Sequence, residues 1–321
     1  MSIGHAVVIA NASEMSEKEW QDLRHKSIGS SDASAVMEMG RYGSPIEVWE
    51  TKTGRSTREM NFAMSLGHKM EPVILDLAAD ELRMEIAKPD LVLAHPDHPE
   101  MTCNLDGYAT NPYGEVAIVE AKHAGSYLKS QLETWEQEGI PDTGSACEGW
   151  WVQIQYQMAI TGIDQAYLAA LCDKKFFVIP VPVVPSFTKA MCRDIPEWFS
   201  THISGDVMPE YTGKDSDYVD RTYADTDYSA EPRDMAAVKD DIIRARTIKL
   251  EIRKMKEALT LHDVRIKAEL GHASQGMLGD EVVVKSKEVE RVSIDTKKLR
   301  AEYPAIAELC SKTSTSRRYT Y

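Results

Sequence analysis

The sequence predicts an α/β (α+β) fold: a central mixed sheet flanked by helices, followed by a long C-terminal helix and a β-hairpin. Three observations lead there. Apolar residues recur at helical spacing as far as about residue 90. From Leu91 the period changes to short β-rich runs separated by turn signals. Beyond residue 233 one long amphipathic repeat takes over.

The elements follow in order. SEKEWQDLRHKSIGSSDASAVMEMG reads as a helix, a short polar turn at Gly29 to Ser31 and a second helix started by a Ser/Asp cap. SPIEVWETKTG is a further helical piece stopped by Gly54, and FAMSLGHKMEPVILDLAADEL carries Met70, Val73, Leu77 and Leu82 at helical spacing. The strand block DLVLAHPDHPEMTCNLDGYATNPYGEVAIVEAKHA is divided by HPDHPE and NPYG and predicts a small antiparallel sheet. WWVQIQYQMAITG reads as a buried helix, and AYLAALCDKKFFVIPVPV as two strands joined at CDKK.

This places a core domain over 1–212. Residues 213–233, rich in Asp, Ser, Thr and Tyr, read as an acidic polar linker, and 234–321 as an accessory module. In that module Ala245, Ile248, Ile252, Met255, Leu259, His262 and Ile266 alternate three and four apart, a long helix of heptad character expected to pack on its own domain or on a neighbouring subunit. VVVKS and VERVSI read as the hairpin strands, and SKTSTSRRYTY as a basic, hydroxyl-rich tail.

Composition narrows the function classes. With 321 residues, 43% apolar and 27% charged, the chain can bury a core, and its length suits one large domain with an appendage. No apolar run approaches the roughly 20 residues that span a bilayer, and the N-terminal stretch lacks the basic start of a signal peptide, so a cytoplasmic protein without a membrane partner is expected. The five cysteines are scattered and never spaced C-x-x-C; they are expected to be reduced and structural. The net charge of −14 argues at first against a nucleic-acid partner. It conceals two regimes: residues 1–233 carry 37 acidic against 19 basic side chains, residues 234–321 carry 14 against 18.

The residues that carry chemistry are Asp106, Glu120 and Lys122. Asp106 precedes Gly107 at a strand end or turn. VAIVEAK then presents Glu120 and Lys122 two apart, on one face of a strand whose preceding residues are apolar. Burying an acid and a base there costs several kcal/mol unless they pair with each other or with a metal. Asp106 and Glu120 offer the oxygen ligands of a hard cation such as Mg²⁺, and Lys122 can orient or deprotonate a water beside a phosphodiester. Glu50-Thr51-Lys52 is a second acid-x-Lys triplet, without the strand or the preceding Asp. Glu71, on the helix before the sheet, is a candidate further ligand. Arg24 with the Ser-rich segment Ser30, Ser31 reads either as a salt bridge and helix cap or as a phosphate pocket. Gln153 and Gln155 are amides in an otherwise apolar helix and need partners. Trp150 and Trp151 read as core.

The ordered set Trp20, Leu23, Arg24, Ile28, Gly29, Ser30, Ser31, Asp32, then Gly67 and Glu71, then Asp106, then Glu120 and Lys122, then Gln153 and Gln155 resembles the YqaJ-like viral recombinase family, which includes the phage lambda exonucleases, within the PD-(D/E)xK nuclease superfamily. The resemblance spans about residues 16–180; Leu105 stands where the motif usually has Pro. It implies a restriction-endonuclease-like core and Mg²⁺, or Mn²⁺ in its place, held by Asp106, Glu120, Glu71 and the Ala121 carbonyl. It implies further that Lys122 activates the water, that Gln153 and Gln155 lie beside the metal site and the DNA backbone, and that Arg24, Ser30 and Ser31 anchor a 5′-phosphate. The activity so implied is 5′-to-3′ degradation of linear duplex DNA to leave 3′ overhangs for a single-strand annealing protein, by a homo-oligomer of trimeric ring type, in the host cytoplasm if the gene is phage-borne. Its rivals are a PD-(D/E)xK endonuclease of repair or restriction type and a catalytically idle DNA-binding scaffold.

Overall fold

The computed structural model describes residues 3–56, 61–313 and 316–321. Residues 314–315 of the expected basic tail lie outside the described residues. The chain divides into two compact units, Met1–Val219 and Asp220–Tyr321.

The first unit begins with strand β1 (Val7–Asn11), which the sequence reading leaves without an element. Helix α1 (Glu17–His25) starts in a capping box: the Ser16 hydroxyl accepts from the Glu19 N–H, and the Glu19 carboxylate accepts from the Ser16 N–H at 2.8 Å. Helices α2 (Ser30–Val36), α3 (Pro45–Lys52) and α4 (Phe62–Leu82) follow, the last capped by Asn61. The expected serine cap of α2 is corrected: Gly29 is the cap residue, and Asp32 closes the turn by accepting the Gly29 N–H at 3.0 Å.

The expected strand block splits between two sheets. Strands β2 (Glu85–Ala87), β5 (Gly107–Thr110) and β6 (Val116–Ala124) belong to the large sheet, whereas β3 (Leu91–Ala94) and β4 (Thr102–Cys103) join β1 in a three-stranded sheet of order β1-β3-β4. After β6 come α5 (Lys129–Glu138) and α6 (Ala146–Thr161), then β7 (Gln165–Cys172), β8 (Lys175–Pro182) and α7 (Pro185–Trp198). The large sheet runs β2-β5-β6-β7-β8. All its pairings are antiparallel except β6–β7, whose connection runs through α5 and α6 and is long enough for a parallel crossover. This is the mixed sheet flanked by helices that the sequence predicts.

Alternation along β6 sets the layers. Ala117, Val119 and Ala121 face Ile74, Leu75 and Ala78 of α4 in one buried cluster. Ile118 belongs to the other, with Ile154, Tyr156 and Trp151 of α6, and Trp150 packs against that cluster while partly buried. The interior strand β6 therefore ends between two helices, and Glu120 and Lys122 project on the α6 side.

The second unit starts near α8 (Ser216–Thr222), a short helix inside the segment read as linker, and continues with α9 (Lys239–Leu270). A hairpin of β9 (Gln275–Leu278) and β10 (Glu281–Lys285) follows, then α10 (Thr296–Glu302) and α11 (Pro304–Leu309). Here the expected strand pair is corrected: the VVVKS segment pairs backwards with Gln275–Leu278, and VERVSI forms no strand. Gly279 with φ 60° beside Asp280 makes the tight two-residue turn, which favours the preceding segment over the following one.

Candidate active site

Asp106 stands at the entry to β5, and the β5–β6 register pairs Gly107 with Val119, which puts Asp106 beside Glu120. The Asp106 Oδ2 accepts the Ala121 N–H at 3.0 Å. In a strand the N–H and carbonyl of one residue point to the same side, so the Ala121 carbonyl also projects toward Asp106, past the last β5–β6 pair. Gly107 is needed where it stands. A Cβ there would lie 2.9 Å from Ile86 Cγ2 and Leu75 Cδ2, so the glycine lets α4 close over the strand that carries the acid.

Glu120 is completely buried, at 0% exposure, yet it is fully partnered. Its Oε1 accepts from the Lys122 ammonium and from Gln153 Nε2 at 2.6 Å, and its Oε2 accepts from Gln157 Nε2 at 2.7 Å. These donors hold a carboxylate in place where burial alone would expel its charge. For the Lys122 ammonium, burial works against the charge, but Glu120 and then Asp106 outweigh it and raise its pKa. For Asp106, burial and then Glu120 push the carboxyl up to about 8, with Lys122 opposing.

Glu71, on α4, acts on the site through its charge: it raises the pKa of both Asp106 and Lys122, while its Oε1 accepts from Lys88 Nζ at 2.7 Å. Among the described residues no three His, Cys, Asp or Glu side chains form a metal cage on their own. The oxygen set is two carboxylates, Asp106 and Glu120, and the Ala121 carbonyl, with Glu71 near them. This set fits a hard divalent cation that keeps several of its own waters. The raised Asp106 carboxyl gives the same indication, because two buried acids side by side resist sharing negative charge without a cation.

The structure separates the two glutamines named from sequence. Gln153 joins the site. Gln155 does not: its Nε2 donates to the Pro182 carbonyl at 2.8 Å and its Oε1 accepts from the Val184 N–H at 2.9 Å, clamping α6 to the end of β8. The reason is helical geometry, since positions two apart face away from each other. Gln157, four after Gln153, takes the place beside Glu120; sequence reading passed over it, although i, i+4 spacing on α6 was the signal.

Arg24 lies in the last turn of α1, and Ser30 and Ser31 in the first turn of α2, on the two sides of the α1–α2 junction. Asp32 pairs there with Lys52 Nζ at 2.6 Å, and Lys52 also donates to the Arg24 carbonyl at 2.9 Å. Burial opposes the Asp32 charge, but Lys52 and then Arg24 prevail and hold its carboxyl below the usual value. The second acid-x-Lys triplet thus ends in a structural pair. Ser30 is buried and Ser31 exposed at the first turn of α2. The junction is tied to the main site's helix: Tyr156 of α6 donates its hydroxyl to the Ile28 carbonyl at 2.6 Å, one residue before Gln157.

Comparison with known proteins agrees with the sequence resemblance. Residues 19–164 match the model of the YqaJ-like viral recombinase domain. The uncharacterized protein YqaJ of Bacillus subtilis (strain 168) is 27% identical over 326 aligned positions, covering 99% of this chain and 98% of its own. Among solved structures, the alkaline exonuclease LHK-Exo of Laribacter hongkongensis superimposes with a TM-score of 0.47 at 18% identity, over 64% of this chain and 98% of that one. An exonuclease of Eubacterium rectale gives 0.43 at 12% identity, over 70% and 98%. Among the described residues no helix is long and apolar enough to cross a membrane. Arg24, Glu71, Asp106, Glu120, Lys122, Gln153 and Gln157 all lie within the stretch that is similar to the YqaJ-like viral recombinase domain.

Proposed function

We propose that the chain is a divalent-metal-dependent deoxyribonuclease that degrades linear duplex DNA from its 5′ ends and leaves 3′ single strands. The observation that carries the proposal is the convergence of Asp106, Glu120 and Lys122 at the end of a buried strand, with Glu120 fully buried and gripped by Lys122, Gln153 and Gln157. Asp106, Glu120 and the Ala121 carbonyl, joined by Glu71, would hold Mg²⁺, or Mn²⁺ in its stead. When bound, such a cation neutralises phosphate charge and makes a coordinated water more acidic.

The remaining roles belong to side chains. Lys122, held as an ammonium by Glu120, donates a hydrogen bond that orients the attacking water and steadies the negative charge that develops as the water's proton leaves to solvent; Gln153 and Gln157 fix the direction of the Glu120 carboxylate, and Lys88 tempers Glu71. Arg24, with the Ser30–Ser31 turn, receives the terminal 5′-phosphate, a task suited to a guanidinium fork beside free N–H groups. In this reading the 3′ strand passes to a single-strand annealing protein, and the working assembly is a ring-shaped trimer in the cytoplasm.

End polarity is the test. Linear duplex labelled separately at each 5′ and 3′ terminus should release 5′ label as mononucleotide from the first turnover, while closed circular duplex stays intact in Mg²⁺. Cleavage of closed circles would replace the exonuclease reading with an endonuclease one.

A further inference from the structure

We propose that α9 pairs with α9 of a second copy of this chain, in antiparallel orientation, through the Ile248–Ile266 seam; because such a two-fold contact cannot close within a three-fold ring, it joins copies from two separate rings. The helix runs 32 residues without one buried position. Its seam residues Ile248, Ile252, Met255, Leu259 and Ile266 are 44%, 45%, 71%, 60% and 47% exposed. An amphipathic helix draws most of its stability from packing its apolar face, so a seam this regular needs a partner.

Charge selects the partner and its direction. In an antiparallel pair centred between Met255 and Leu259, Ile248 meets Ile266 of the other copy, Ile252 meets His262, and Met255 meets Leu259. Glu251 then faces Arg265, and Lys249 faces Asp263, each contact occurring twice by symmetry; Lys256 opposite its own copy is the one repulsive contact. In a parallel pair Glu251 faces Lys256, but Arg244 faces Lys249, so attraction and repulsion cancel, and the two His262 side chains meet in the seam. The antiparallel arrangement keeps them apart. Lys249 already lies over the Tyr321 ring at 3.5 Å, and an ammonium has donors left for a carboxylate beside it. The outer residues Ile243, Leu250, Leu261 and Val264 lie off this seam.

Sedimentation equilibrium of the full chain tests the pairing, because every position altered is exposed on α9 and none is a residue assigned to the nuclease site. Leu259→Asp should lower the assembled mass at least two-fold. Glu251→Lys should weaken association about tenfold, since two symmetry-related pairs turn repulsive together. Adding Arg265→Glu to Glu251→Lys should restore it, a rescue that parallel pairing does not give. The proposal is overturned if wild type and Leu259→Asp have the same mass, or if the double swap fails to rescue. It is also overturned if Leu259→Asp lowers duplex-DNA affinity at unchanged mass, which would make α9 a nucleic-acid contact.

Discussion

Gln157→Leu separates holding Glu120 from filling the core. Leucine nearly matches the glutamine in volume but removes the donor on Glu120 Oε2 at 2.7 Å, leaving one oxygen of a buried carboxylate without its partner. A hydrogen bond to a charged group contributes about 1.5–3 kcal/mol. Part of that is recovered, because Gln157 Oε1 is buried with no partner and its removal relieves about 1 kcal/mol. The net expectation is a loss of roughly 1–2 kcal/mol in the urea unfolding free energy measured in EDTA. Gln155→Leu is the control. It loses two neutral bonds and strands the Pro182 carbonyl and Val184 N–H, costing about 2 kcal/mol, but touches nothing at Glu120. Stability therefore falls comparably in both variants, whereas activity should divide them. At saturating DNA and Mg²⁺, Gln157→Leu should release nucleotide about 10- to 100-fold more slowly, the usual effect of removing a group that orients a metal ligand. Gln155→Leu should keep the wild-type rate per folded molecule. Equal rates in the two variants would refute the assignment of the i, i+4 face to the site.

Three further outcomes follow from named contacts. The Asp32 carboxyl is held below its unfolded value of 3.8, so the stability it contributes is present above that pH and is lost as pH falls through the lower folded value. Asp32→Asn, which leaves the Lys52 ammonium with only the Arg24 carbonyl, should cost about 3 kcal/mol near pH 7, and urea midpoints of the two proteins should draw together as the pH falls below 3.8. Gly107→Ala places a methyl 2.9 Å from Ile86 and Leu75 and 3.2 Å from Val119 Cβ, and should destabilise by about 1–3 kcal/mol in thermal unfolding. Arg24→Ala should abolish the preference of wild type for 5′-phosphate over 5′-hydroxyl ends; no such preference in wild type would remove the phosphate role from Arg24.

The part of the site that was legible from sequence was legible because it violates a local rule. An acid and a base at the end of VAIV make no sense in an interior strand unless they are used, and β6 places both where that reasoning expects them. Nothing in the immediate neighbours of Gln157 marks it; only the period of the helix brings it to the face of Gln153. The sheets were harder to read. β1 pairs with β3 across a stretch that includes four helices, and no local pattern records that pairing or separates β3 and β4 from β5 and β6. VERVSI has strand composition but lacks a turn that would return it to a partner, whereas Gly279-Asp280 supplies one for the segment before it. The acidic total also takes on a location. Asp106, Glu120 and Glu71 are acids that a cation would turn into a phosphate-receiving site, so net charge alone was a poor guide to the partner.

The most direct measurement of the central claim is nucleotide release from linear duplex DNA, with and without Mg²⁺, by wild type, Asp106→Ala and Lys122→Ala proteins shown by circular dichroism to be folded. The account predicts release that requires the metal and falls by at least about a thousandfold in both variants, as expected when metal ligation or water activation is removed. Release that persists in either folded variant, or that proceeds in EDTA, would contradict it.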